Sequence, residues 1–128
     1  MIRIIIAKVE LDGHDRGIKV VSQWLRDSGM EVIYVGPYRT VQEVIKSAVD
    51  EDISIIGLSF QGGQHLAFVP EVTEKMKENN LNIPLVVGGN IPSQDIPRLK
   101  KMGASEVFPA NTPMSTITGR LRELCGQG

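Results

Sequence analysis

Apolar residues fall along this chain in two alternating rhythms. Short runs rich in Ile and Val occupy residues 3–9, 31–35, 53–58, 83–87 and 106–108, several of them apolar on consecutive positions. Consecutive apolar positions predict strands buried on both faces, as in a parallel sheet covered by helices. Between these runs the spacing lengthens to three and four residues. Gly17, Val20, Val21, Trp24, Leu25 and Ser28 form one helical stripe that Gly29 stops, and Val41, Val44, Ile45, Ala48 and Val49 form a second. Phe68, Val69, Val72 and Met76 mark a third helix, Ile96, Leu99 and Met102 a short fourth, and Met114, Ile117, Leu121 and Leu124 a fifth. The stripes read as core.

Five strand–helix units predict an α/β fold: a doubly wound five-stranded parallel sheet with right-handed crossovers and helices on both faces. The flavodoxin-like strand order 2-1-3-4-5 is the expected topology, and it puts a ligand crevice at the carboxyl ends of the strands. Chemistry is therefore to be sought after Val9, after Leu58 and after Val87.

Composition narrows the function more than the fold. At 128 residues a single domain spanning 1–128 is expected, and 41% hydrophobic with 23% charged residues is ordinary for a soluble globular chain. A net charge of -1 argues against a nucleic-acid partner. No apolar run is long enough for a signal peptide or a membrane span, so no membrane partner is expected. Cys125 is the single cysteine and cannot form an internal disulfide, which fits a reducing, cytoplasmic setting.

The loop after the first strand holds the residue with chemical reach. In Asp12-Gly13-His14-Asp15-Arg16-Gly17 an imidazole stands two residues from a carboxylate. Neutral imidazole ligates transition metals, and a carboxylate on its second nitrogen fixes tautomer and orientation. The same residues also suit an exposed loop histidine with Asp15 capping the next helix. The residues alone leave both readings open. With two histidines and one cysteine, a metal site built from protein alone is disfavoured; a metal on His14 would bring most of its ligands with it. Further along the edge lie Ser59, Gln61, Gly62 and Gly63, then Gly88-Gly89, then Asn111-Thr112. Glycine pairs let backbone approach a ligand, and they also simply make turns. The phosphate-loop and dinucleotide glycine patterns are absent, and Ser59 stands where a phosphorelay receiver would need an aspartate.

Together, Asp12-x-His14-x-x-Gly17, Ser59 at the end of the third strand and Gly88-Gly89 resemble the cobalamin-binding domain of adenosylcobalamin-dependent mutases and methionine synthase. The wording from Leu11 to Gly17, with Gly36, Gly57-Leu58-Ser59, His65, Val86 to Pro92 and Gly103-Ala104, is most similar to the carboxyl-terminal domain or small subunit of methylmalonyl-CoA mutase. That resemblance implies base-off binding of adenosylcobalamin, with His14 as lower axial ligand to cobalt and Asp12 on its other nitrogen. It implies that Gly13, Asp15, Arg16 and Gly17 meet the cofactor. Ser59, Gln61, Gly63, Gly88, Gly89, Asn111 and Thr112 would border the nucleotide tail. It also implies radical carbon-skeleton isomerisation of an acyl-CoA held on a separate large TIM-barrel subunit, this chain being inactive alone. Two positions depart from the family pattern: Gln61 replaces a leucine, and Asn111 stands in a turn usually built with glycine. The alternatives are a corrinoid methyl-carrier protein, which generally has a helical cap before its first strand, and a flavodoxin-like interaction module without cofactor.

Overall fold

The computed structural model describes residues 1–9, 16–36 and 40–126. In chain order the elements are β1 (Arg3–Ala7), α1 (Arg16–Asp27), β2 (Glu31–Val35), α2 (Val41–Asp50), β3 (Ile55–Phe60), α3 (His65–Glu78), β4 (Leu85–Gly89), a 3-10 turn (Ser93–Asp95), α4 (Ile96–Met102), β5 (Glu106–Pro109) and α5 (Met114–Leu124). The five strands pair in the order β2-β1-β3-β4-β5, every pair parallel. This is the expected topology.

The alternation of side chains along each strand makes two cores. Ile5, Ala7, Ile56, Leu58, Phe60 and Val87 point to the face covered by α2, α3 and α4. Ile4, Ile6, Ile55, Val86 and Phe108 point to the face covered by α1 and α5. Both faces are therefore apolar, which is why the strands read as unbroken hydrophobic runs. No described helix is long and apolar enough to cross a membrane.

Two strands lie later in the chain than the apolar runs suggested. Ile53 donates its amide to Ala48 and belongs to the turn closing α2, so β3 begins at Ile55 and runs on through Ser59 to Phe60. The β4 ladder starts after Pro84 and continues through Gly88 and Gly89, because β3 and β5 flank them and supply hydrogen-bonding partners. Hydropathy carries no signal for a serine or glycine inside a ladder.

The inward face of α1 is also rotated relative to the expected stripe. Ile18, Ser22 and Leu25 are buried, whereas Val20 is 61% and Trp24 47% exposed. Trp24 lies across the seam with α5, its indole N–H donating to Thr118 Oγ1 at 3.2 Å. Val49 on α2 is likewise half exposed rather than core.

Glu106 ties the edge strand β5 to both neighbouring helices. Its carboxylate accepts from Arg120 Nε at 2.9 Å and from the Val107 amide at 3.1 Å, and Lys100 Nζ stands 3.3 Å away. Burial pushes this carboxyl up, but the bonds from Arg120, Val107 and Lys100 outweigh it and hold the group below its ordinary range. A depressed folded value means stability that is present above the unfolded value and lost as pH falls through the folded one. Glu106→Gln is expected to unfold at a lower temperature than the native chain at pH 7, with the gap closing as pH falls through the depressed folded value. Thermal melts across that window check it.

Candidate functional site

The carboxyl ends of the strands open into a cavity of about 280 Å³ between the sheet and the pair α1 and α5. Its floor is set by which side chains are missing. On the face covered by α1 and α5, β3 presents Ile55, then Gly57, then Ser59, and β4 presents Val86, then Gly88. The parallel register places Gly57 beside Ile6 and Val86, Ser59 beside Gly88, and Gly88 beside Phe108. Three small residues thus meet on adjacent strands, where the rest of this face carries Ile, Val and Phe. The roof is apolar, from Ile18, Val21 and Leu25 of α1 and Ile117 and Leu121 of α5. Gly17, Gln61, Asn111 and Thr112 border the cavity as well.

The glycines are there for different reasons. A Cβ on Gly57 would meet only ordinary contacts, at 3.5 Å from the Ile5 carbonyl and 3.6 Å from Val86, and one on Gly88 would lie 3.5 Å from the Phe108 carbonyl. The fold has room for a Cβ at both positions, so what its absence provides is space. Gly89 is different: its φ is +114°, and a Cβ there would lie 2.2 Å from the Phe60 carbonyl oxygen. That glycine is demanded by the close approach of the Phe60 carbonyl on the neighbouring strand β3, which also accepts from the Asn90 amide at 2.8 Å.

The remaining sequence candidates distribute unevenly. Asn111 takes φ +71°, so it keeps a turn that glycine would make easily. Thr112 turns its hydroxyl back onto the Pro109 carbonyl at 2.6 Å. Gln61 is exposed, so its amide carries no burial penalty, and its Nε2 lies 2.9 Å from where a Cβ on Gly89 would stand. Gly63 (φ +83°) does not line the cavity and is explained by its turn. Arg16 is the first residue of α1, and Asp12, Gly13, His14 and Asp15 lie outside the described residues.

Three residues were not among the site candidates. Gly57, quoted only as part of Gly57-Leu58-Ser59, lies inside an apolar run, and only cross-strand register shows its neighbours. Lys8 is wholly buried where β1 leads into the His14 loop; a lysine ending an apolar strand was the available signal. Asp95 pairs with His65, whose Nε2 lies 2.8 Å from its Oδ2, and both are buried. Because a carboxylate only accepts, Nε2–H is the donor. Among the described residues no group of three or more His, Cys, Asp or Glu is arranged to hold a metal.

Residues 2–115 match the model of the B12 binding domain family. The chain is 40% identical over 124 residues, 96% of its length, to the 2-hydroxyisobutanoyl-CoA mutase small subunit of Aquincola tertiaricarbonis and covers 91% of it. It is 42% identical over 84% of its length to the pivalyl-CoA mutase small subunit of Xanthobacter autotrophicus, covering 72% of that protein. Against the methylmalonyl-CoA mutase large subunit of Streptomyces virginiae it is 44% identical over 86% of its length but spans only 15% of that chain. Among solved structures, a cobalamin-binding protein from Desulfitobacterium hafniense superposes with TM-score 0.81 at 21% identity over 96% of this chain and 58% of that one. The monomethylamine corrinoid protein of Methanosarcina barkeri gives TM-score 0.80 at 16% identity over 95% of this chain and 57% of its own. At such identities these two establish a shared fold.

Proposed function

The chain belongs to the B12-binding domain family, and on that premise we propose that it is the cobalamin-carrying small subunit of an adenosylcobalamin-dependent acyl-CoA mutase. The observation that carries this reading is the cavity over Gly57, Ser59 and Gly88, a slot floored by small residues under an apolar roof. Interiors pack without voids of this size unless something fills them. A nucleotide tail detached from cobalt is a ligand of the right character, a flat base on a polar linker, and it needs small residues along its path.

In this reading His14 would hold the cobalt through one ring nitrogen and Asp12 would accept from the other, fixing tautomer and raising basicity. His65 is already engaged with Asp95, which leaves His14 as the imidazole for the task. Gly13, Asp15, Arg16 and Gly17 bring backbone against the cofactor, Ser59 offers a hydroxyl to the base, and Gln61, Asn111 and Thr112 border the slot. When bound, the cofactor supplies the radical chemistry of carbon-skeleton isomerisation. The chain's own part is to bind, orient and shield. The acyl-CoA is assigned to a large TIM-barrel subunit, since the described residues form one open five-stranded sheet and not an eight-stranded barrel. The similarity over most of its length to two mutase small subunits, against 15% of a large one, supports that division. A cytoplasmic location accords with it.

Gly57 gives the direct test. The native chain is expected to bind cobalamin at least about tenfold tighter than cobinamide, which lacks the nucleotide tail. Gly57→Val fills the slot and is expected to erase that preference. Its stability should hold or rise by up to about 1 kcal/mol, because glycine inside a strand is unfavourable. Absorbance titrations and melts of both chains read this; a Gly57→Val chain that still prefers cobalamin would remove the slot from the account.

A further inference from the structure

His65 is 3% exposed and opens α3, directly after the loop that carries Gln61. Asp95 is 9% exposed and closes the 3-10 turn that follows Gly88 and Gly89. Thirty residues separate them, and the 2.8 Å bond joins the loop after β3 to the loop after β4 on the sheet face opposite the cavity.

Asp95 runs from the 3-10 turn into α4 with helical backbone angles, φ -88° and ψ -12°, and its side chain makes no capping bond to that helix. Its carboxylate is turned to His65. The imidazole also stands edge-on to Phe60, ring centres 6.1 Å apart, and Phe60 is the residue whose carbonyl lies against Gly89 and receives the Asn90 amide. His65 Nδ1 is buried without a hydrogen-bond partner, so the ring is held from one side only, by Asp95. All the directional restraint on this buried ring runs to the other loop.

We infer that His65 and Asp95 are a positioning pair that fixes the mouth of the slot, given that the slot takes a cobalamin tail. By holding the start of α3 against the turn before α4, the pair sets where Gln61 lies over Gly89. Both of those residues line the cavity, whereas neither His65 nor Asp95 does. The pair acts through the loops and does not touch the ligand.

The test compares cobalamin and cobinamide affinities of the whole chain by absorbance titration, with melts alongside. His65→Ala and Asp95→Ala are expected to lose about tenfold in cobalamin affinity while cobinamide changes less than about twofold. His65→Gln and Asp95→Asn each keep a hydrogen bond across the gap and are expected to recover most of the loss. Where the alanine variants fold poorly, the double variant His65→Leu with Asp95→Leu restores apolar packing without the bond; it is expected to fold and still to bind cobalamin about tenfold more weakly. Equal losses for the two probes, or no loss in a folded variant, overturn the positioning role while leaving the cobalamin reading intact. A native chain that binds neither probe overturns both.

Discussion

His14→Ala is expected to weaken cobalamin binding by at least about 100-fold, the largest functional effect of any single substitution in this chain. Partners that merely orient a metal-bound histidine typically cost 10–100-fold when removed, so loss of the ligand itself sits at or beyond the top of that range. Asp12→Asn is expected to fall inside it. Only two histidines exist, and His65 is buried and bonded to Asp95, so no second imidazole can take over. Titration of the native and substituted chains with adenosylcobalamin checks the prediction. Native-like affinity in His14→Ala would leave the cofactor without its proposed lower ligand.

Gly89→Ala carries the largest expected cost in stability. The backbone there has φ +114°, a region that L side chains rarely adopt and that costs about 1–3 kcal/mol by itself. The new Cβ would also lie 2.2 Å from the Phe60 carbonyl oxygen and 3.0 Å from its carbon, both backbone atoms that no rotamer change can move. Relief requires β3 and β4 to part at their ends, at the expense of the Asn90–Phe60 bond. A total of about 3–5 kcal/mol follows, a large share of the 5–15 kcal/mol that holds a typical domain together. Gly88→Ala next door, with its nearest neighbour at 3.5 Å, is expected to stay within about 1 kcal/mol. Urea unfolding of the two variants measures the contrast, and equal stabilities would refute the assignment of one glycine to backbone and the other to space.

The strands were legible because the inner ones, β1 and β3 above all, are buried on both faces and so stand out as apolar runs between helical stripes. Strand ends were less so. Ser59, Gly88 and Gly89 sit inside ladders yet look like loop residues, since hydropathy does not register a hydrogen bond supplied by a neighbouring strand. Helix α1 has apolar residues at 18, 20, 21, 24 and 25, enough for two overlapping stripes; packing chose the one through Ile18 and Leu25 and left Val20 and Trp24 exposed. The slot was half visible. Gly88, Gly89 and Ser59 were candidates from their order along the chain, but Gly57 counts only once register sets it beside Ile6 and Val86. The His65–Asp95 bond spans thirty residues and has no local pattern to betray it. Of the two departures from the family pattern, Gln61 is exposed and so buries no polar group, and Asn111 adopts the positive φ a glycine would have taken.

The central claim is that a nitrogen of this chain's own histidine holds cobalt from below. Electron paramagnetic resonance of cob(II)alamin bound to the chain tests it most directly, with the protein grown once on ordinary histidine and once on histidine labelled with nitrogen-15. Each cobalt line is expected to be split into a triplet by the ordinary protein and into a doublet by the labelled one. A splitting that stays a triplet in the labelled protein would mean that the cofactor's own base still ligates cobalt, and that result would contradict the account.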